Sequence, residues 1–376
     1  MARSPSMRVV VGMSGGVDSS VAALRLVEKG LDVHGLFMTN WEEDEEGYCT
    51  AARDLQDARA VCDMLSIPLH RVNFSADYRE RVFSYFLSEY RAGRTPNPDV
   101  LCNREIKFGA CFHYARRLGA DRVATGHYAC TDASGVLLRA ADEAKDQTYF
   151  LLGVDAETLR HTRFPVGDLQ KQEVRRIADE HGLPTHAKPD STGICFIGER
   201  PFREFLSRYL PAEPGDIVTD EGQVIGRHQG LMYYTIGQRQ GLGIGGRPDA
   251  DDAPWYVAGK DLKRNRLIAV QGHDHPALLS GGLIAVDPHW IAGGAPAEIL
   301  RCQARIRHRQ ALQDCEFQLI PGGLRVQFDR PQRAVSPGQF IAFYQGRQCL
   351  GGATIDAALG VPLGEPEPVR LSTPAA

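Results

Sequence analysis

Two features of this 376-residue chain are spaced for chemistry: a run of small polar residues suited to an anion, and two cysteines in unusual settings. The run is Gly12-Met13-Ser14-Gly15-Gly16-Val17-Asp18-Ser19-Ser20, which follows an apolar stretch and leads into a helical pattern. A loop that leaves a strand and opens a helix aims backbone N–H groups and the positive helix end at one point, where a phosphate binds. Gly15 and Gly16 permit positive φ and let the backbone approach an anion closely. Ser14, Ser19 and Ser20 supply hydroxyl donors, and Asp18 either orients the loop or holds a metal ion. The string lacks the lysine of a GxxxxGK[ST] loop and the spacing of GxGxxG. The plain alternative is a helix cap following a glycine turn.

Cys102 lies in Asn97-Pro98-Asp99-Val100-Leu101-Cys102-Asn103-Arg104, where Pro96 and Pro98 stiffen an extended approach. A polar, proline-fixed loop predicts an accessible thiol, and Arg104 and Lys107 on the following helix turns favour the thiolate. Cys62 and Cys111, by contrast, read as buried structural cysteines. Asp99, three residues before the thiol, suits a general acid/base; a turn-capping role after Pro98 is the alternative. Cys195 lies in Asp190-Ser191-Thr192-Gly193-Ile194-Cys195-Phe196-Ile197-Gly198, where flanking glycines would let a loop move. Its apolar neighbours leave core packing open as an equal reading.

The remaining cysteines do not change this picture. There are nine, at 49, 62, 102, 111, 130, 195, 302, 315 and 349, with no CxxC pair and no zinc-like spacing. An odd count without an export signal argues against structural disulfides, and the basic start MARSPSMRVVVG has too short an apolar run for a signal peptide. With 43% hydrophobic and 24% charged residues the chain has the balance of a soluble protein, and it holds no membrane-length apolar run. A cytoplasmic location is expected. The net charge of −4 does not point to nucleic acid, but Arg301–Arg309 (RCQARIRHR) is a local basic stretch that can grip phosphates. Its alternative is a solvated barrel face.

The elements that must position these residues begin with an apolar strand over 7–12, then a helix closed by Gly30. Strands over 31–38, 69–74 and around 121–126 alternate with helices over 53–65, 77–91 and from after Asn103 to Leu118. This alternation predicts an α/β fold with a doubly wound parallel sheet, whose ligands bind beyond the C-terminal strand ends. Met13–Asp18, Met38 and Thr125–His127 should therefore line one crevice. After a helix over 172–181 and the loop KPDSTGICFIGER, the texture from about Pro211 becomes short strands and glycine turns. From about 281 onward, alternating strands predict a small antiparallel β-barrel. The expected domains are 1–205 (α/β, catalytic), 206–280 (a small β-rich connecting domain) and 281–376 (the barrel), with a disordered tail GEPEPVRLSTPAA.

SGGVDS resembles the PP-loop of ATP pyrophosphatases, which release pyrophosphate while adenylating a substrate. NPDVLCNREIKFG, ATGHYA, KDQTYFL, DSTGICFIGER and YTIGQRQGLGIGG are similar, in order, to the bacterial tRNA-specific 2-thiouridylases (MnmA type), over about Arg8 to Ile355. The resemblance implies ATP and Mg²⁺ as cofactors, with ATP held by Gly12, Met13, Ser14, Gly15, Gly16, Val17, Asp18, Ser19, Met38 and Gly126. It implies a persulfide on Cys195, Cys102 as the partner nucleophile, and a tRNA substrate held by its anticodon arm. It places tRNA contacts at Asn97, Pro98, Asp99, His127, Lys145, Asp146, Gln147, Arg307, His308 and Gln339. On their own, His127 reads as structural and Lys145–Gln147 as an ordinary solvated loop. A persulfide sulfur-donor protein and a thiol reductant are the implied partners.

Two positions depart from the family pattern. His308 stands where a tyrosine is usual after the arginine, though a histidine can still stack on a base or meet a phosphate. Thr39 stands where a lysine is common. Two rivals remain: a PP-loop ligase acting on a small molecule, which needs no cysteine pair, and a non-catalytic RNA-binding module.

Overall fold

The structure, a computed structural model, describes residues 7–41, 51–190, 202–244 and 253–360. Its first sheet is parallel, in the order β3-β2-β1-β4-β7, built from β1 (Arg8–Gly12), β2 (Asp32–Thr39), β3 (Leu69–Asn73), β4 (Arg122–Ala124) and β7 (Thr162–Arg163). Strand β1 shows why this core forms. Val10 points into one apolar cluster while Val9 and Val11 point into another, so both faces of the sheet are covered. Helix α1 (Val17–Glu28) returns from β1 toward β2, and the connection from β3 reaches β4 on the opposite side of β1. The sheet order reverses at β1, so the C-terminal ends of β1 and β4 bound the expected crevice.

Two helices differ from their sequence reading. Helix α3 runs without a break over 75–91, with π-type turns over Arg79–Phe83. Helix α4 runs over 98–117, so it begins four residues before Cys102 and not after it. Asn97 caps α4 by accepting the Asp99 N–H (3.2 Å), and Pro98 takes the first helical position, where its missing N–H costs nothing. Cys102–Ala110 is a π-helical stretch, a wide turn common at functional sites. Gly109 makes it possible: a Cβ there would stand 2.9 Å from the Arg104 carbonyl oxygen.

The middle region forms a four-stranded sheet, β10-β11-β8-β9, from β8 (Gly215–Val218), β9 (Val224–His228), β10 (Trp255–Asp261) and β11 (Arg266–Gln271). The last region is a closed six-stranded antiparallel barrel in the order β12-β15-β14-β13-β16-β17, with β12 pairing back onto β17. Its strands are β12 (Leu279–Trp290), β13 (Ile299–Arg305), β14 (Gln313–Ile320), β15 (Gly323–Arg333), β16 (Phe340–Gln345) and β17 (Gln348–Leu359). A short hairpin of the first region, β5 (Ala129–Thr131) and β6 (Leu137–Arg139), adds to β17 through Gln348↔Leu138 and Cys349↔Leu137. Three-residue strands are too short to read from periodicity. The α/β region and the barrel are thus joined through a shared sheet edge.

Candidate active site

The loop after β1 is held by its own hydroxyls. Ser19 and Ser20 each donate to the Gly16 carbonyl (2.9 Å), and the Ser14 N–H donates to Ser19 Oγ (3.3 Å). Gly15 has φ +73° and packs on the Asp54 backbone of α2 (Ala51–Met64) so tightly that a Cβ would overlap it. Gly126, past the end of β4, lies against the start of α1: a Cβ would stand 2.6 Å from Ser19 N and 2.7 Å from Asp18 C. Both glycines are required by close approach, which leaves a cradle of backbone. Met13 and Val17 are core residues, so they serve the loop through backbone alone; the Met13 N–H donates to the Leu36 carbonyl (2.9 Å). Met38 is partly buried at the end of β2.

Distant cations complete the loop. Lys171, the first residue of α5 (Lys171–Glu180), donates to both Asp18 oxygens (2.7 and 2.8 Å), and Tyr128 OH donates to Asp18 Oδ1 (2.7 Å). These contacts let Asp18 orient the loop. Lys188 donates to the Gly15 carbonyl (3.0 Å), Asp54 (2.7 Å) and Asp57 (2.5 Å), tying the loop to α2. Asp190 receives Lys145 (2.7 Å), Lys171 (2.9 Å) and Arg175 (2.7 Å). Burial alone would raise the Asp190 carboxyl, but hydrogen bonds from Lys145 and Lys171 outweigh it and hold the group well below the usual carboxylate range. Lys171, Lys188 and Asp190 were not singled out from sequence. Only the pattern of polar residues near the loop KPDSTG, which is local, was available there.

Cys102 corrects an expectation. It is not exposed on a polar loop but buried at 1% exposure, within α4 and among Val100, Leu101 and Ile106. Once α4 starts at Pro98, the apolar side of its first two turns carries the thiol inward. Asn40, just past β2, points its amide Nδ2 at Cys102 Sγ (4.0 Å), while Asn40 Oδ1 is buried without a partner. Cys62 and Cys111 are buried as expected, and burial pushes their thiols up to about 11 and about 12. Cys195 lies outside the described residues. The chain before it is anchored at Asp190. After it, α6 (Phe202–Ser207) packs on α3, with Phe205 5.9 Å from the Phe83 ring.

Asp99 and His127 share one electrostatic neighbourhood. Burial raises the Asp99 carboxyl, and Lys107 of the same helix pulls it partly back. Burial also drives His127 well below its ordinary value, with Lys107 adding to the effect, so its imidazole is neutral at pH 7. Thr125 Oγ1 meets His127 Nδ1 at 2.7 Å, and the rings of Phe108 and Phe164 flank it. The segment leading into Asn97 is braced by both other regions. Gln339 Nε2 donates to the Thr95 carbonyl (2.8 Å), the Thr95 N–H to Pro337 O (3.0 Å), and Lys260 Nζ to Gly93 O (2.9 Å).

The remaining expected RNA contacts sit at the joint between the α/β region and the barrel. Lys145 binds Asp190; Gln147 Oε1 accepts the Tyr128 N–H (2.9 Å); Asp146 is 1% exposed and paired with Arg305. These three residues are no solvated loop. Arg307 donates to Arg333 O (2.5 Å) and Ala334 O (3.1 Å), and His308 Nε2 contacts the Asp146 carbonyl (3.1 Å). The arginine run is no uniform solvated face either, because Arg305 is buried within it.

Among the described residues no cluster of three or more His, Cys, Asp or Glu could hold a metal, and no helix is long and apolar enough to cross a membrane.

Three family models cover the chain: a tRNA methyl transferase HUP domain over 7–199, a tRNA methyl transferase PRC-barrel domain over 203–271, and an aminomethyltransferase beta-barrel domain over 280–355. The tRNA-specific 2-thiouridylase MnmA of Marinobacter nauticus is 60% identical over 356 residues, covering 93% of this chain and 91% of that protein. Those of Pseudomonas putida (58%; 93% and 95% covered) and Hahella chejuensis (57%; 95% and 99%) are similar over comparable spans. Among solved structures, the U34-tRNA thiolase NcsA from Methanococcus maripaludis has a TM-score of 0.34 at 19% identity over 54% of this chain and 63% of its own, too slight a likeness to argue from. The chain is a member of the tRNA-specific 2-thiouridylase family, MnmA type.

Proposed function

We propose that this protein is an ATP-dependent tRNA-uridine 2-sulfurtransferase of the cytoplasm, acting on the wobble uridine held by the tRNA anticodon arm. The observation that carries the reading is the backbone cradle at Gly12–Ser19, roofed by Gly126, at the same sheet edge that leads through Asn40 to Cys102. The cradle takes the triphosphate of ATP, through N–H groups and the start of α1. Mg²⁺ arrives with ATP as part of the substrate, in keeping with the ion's preference for phosphate oxygens and water.

The C2 oxygen of uracil is a poor leaving group until AMP is transferred to it, releasing pyrophosphate. The terminal sulfur of a Cys195 persulfide then attacks C2, and AMP leaves with the oxygen. Cys102, as thiolate, attacks the Cys195 sulfur of the S–S bond. Sulfur stays on the base as 2-thiouridine, and the two cysteines become a disulfide. An external thiol reduces that disulfide for the next cycle, and a sulfur-donor protein restores the persulfide. Asp99, its carboxyl raised by burial, takes the general acid/base role. Asn97, Pro98 and neutral His127 shape the pocket for the base, and the Arg307–His308 turn with Gln339 faces the RNA.

The test is mass spectrometry of a tRNA incubated with ATP and a sulfide source. Wild type should add the mass of one sulfur-for-oxygen exchange, and Cys195→Ser should not. Full activity of Cys195→Ser would support a PP-loop ligase that needs no thiol pair, and would sink the reading.

A further inference from the structure

The tripeptide Lys145-Asp146-Gln147 reaches three places at once. Lys145 Nζ donates to Asp190 (2.7 Å), which begins the Cys195 segment. Gln147 exchanges hydrogen bonds with the Tyr128 backbone (2.9 Å each way), and Tyr128 OH holds Asp18 of the phosphate loop. Asp146 faces the barrel. Its Oδ1 accepts the Ala140 N–H (3.1 Å), and its Oδ2 accepts Thr148 Oγ1 (2.8 Å) and Arg305 Nη2 (2.9 Å). The side chains of both partners are almost wholly enclosed, at 0% and 4% exposure. Arg305 also lies over the Tyr344 ring (4.8 Å), whose hydroxyl meets Thr148 Oγ1 (3.2 Å).

An enclosed carboxylate with three donors has nothing left to offer a nucleic acid, and a phosphate would repel it. Arg305 ends β13, two residues before Arg307, and His308 rests on the Asp146 carbonyl. The pair therefore sets where the Arg307–His308 turn stands relative to the phosphate loop. A buried ion pair adds little net stability over apolar side chains of the same size.

We propose that Asp146 and Arg305 are positioning residues for the reaction: together they fix the barrel's RNA-facing turn on the α/β region, and Asp146 acts through Arg305 without touching RNA. The proposal rests on the reading that the barrel meets tRNA.

The test is a double-mutant cycle on full-length protein, with Asp146→Asn, Arg305→Met and the double variant. The readouts are the dissociation constant for a tRNA transcript with uridine at the wobble position, its salt dependence, and ATP kinetics. Each single change should weaken tRNA binding roughly tenfold. The double variant should be no weaker than the worse single, because both changes break one link. The salt slope should stay as in wild type, since no phosphate contact is lost, and the KM for ATP should not move. Arg305→Lys, which keeps the charge, should restore most of the affinity and covers the case in which Arg305→Met does not fold. Additive losses, a slope reduced by about one in Arg305→Met, or failure of Arg305→Lys to restore binding would overturn the proposal. Arg307→Ala separates the two levels. If it leaves tRNA binding and its salt slope unchanged, the barrel reading fails. If it weakens binding while Asp146→Asn and Arg305→Met do not, only the positioning proposal fails.

Discussion

Gly126→Ala isolates the cradle from the thiols. Gly126 does not have positive φ, so alanine suits its backbone and only space is at issue. The new Cβ would stand 2.6 Å from Ser19 N and 2.7 Å from Asp18 C, where ordinary contact begins at 3.4 Å. The strand end and the start of α1 must part by roughly 0.8 Å, the difference between 3.4 and 2.6 Å. Neither contact is the far end of a flexible side chain, so the backbone itself has to move. Overpacking of this kind costs about 1–3 kcal/mol. A shift of that size in the phosphate donors, close to 1 Å, lowers a rate by up to about 100-fold. The expected result is a 10- to 100-fold fall (roughly, at ~1.4 kcal/mol per tenfold) in kcat/KM for ATP, read as tRNA-dependent pyrophosphate release, with tRNA affinity kept. Gly294→Ala is the control, because a Cβ there meets nothing within 4 Å and its φ is ordinary. A folded Gly126→Ala enzyme with wild-type kcat/KM for ATP would refute the account of the cradle as a backbone approach.

Asp190 is held below its ordinary value of 3.8, so its ion pairs stabilise the protein above that pH and are lost as the pH falls through the lower folded value. Wild type should be more stable than Asp190→Asn at neutral pH, with the gap in melting temperature closing on acidification below about pH 4. Lys260 gives the same slope in a higher pH window: burial brings it from 10.5 to about 8, so the unfolded chain binds the extra proton between those values. Stability of wild type relative to Lys260→Met should rise with pH from 8 toward 10.5, and a flat difference would count against a desolvated ammonium. Cys62, Cys111 and Cys349 are enclosed and pushed up to about 11, 12 and 12, so iodoacetamide at pH 7.5 (roughly neutral, far below these values) should leave all three untagged in peptide mass maps of the native protein.

What could be read from sequence divides by the distance over which the information acts. The phosphate loop was legible because its glycines, serines and following helix are consecutive, and the backbone they dictate is the site. The start of α4 was also written locally, as Asn97 capping and Pro98 at the first position, a signal outweighed by the polar look of the segment. Setting the helix start at Pro98 is enough to turn Cys102 inward with Val100 and Leu101, so the error about its burial follows from a boundary and not from the chemistry. The cations around the phosphate loop are a different matter. Lys171 lies 153 residues away, and Lys188 is 173 residues from Gly15, so no local pattern announces either. Asp146 shows the limit most sharply. A Lys-Asp-Gln run is what a solvated loop looks like, and its burial is decided by an arginine 159 residues later that cannot itself be enclosed without a carboxylate. Short-range rules thus specify where the backbone presents its N–H groups. The charges that tune the site, and the joint that sets the barrel against it, exist only once sequence-distant groups have paid each other's desolvation.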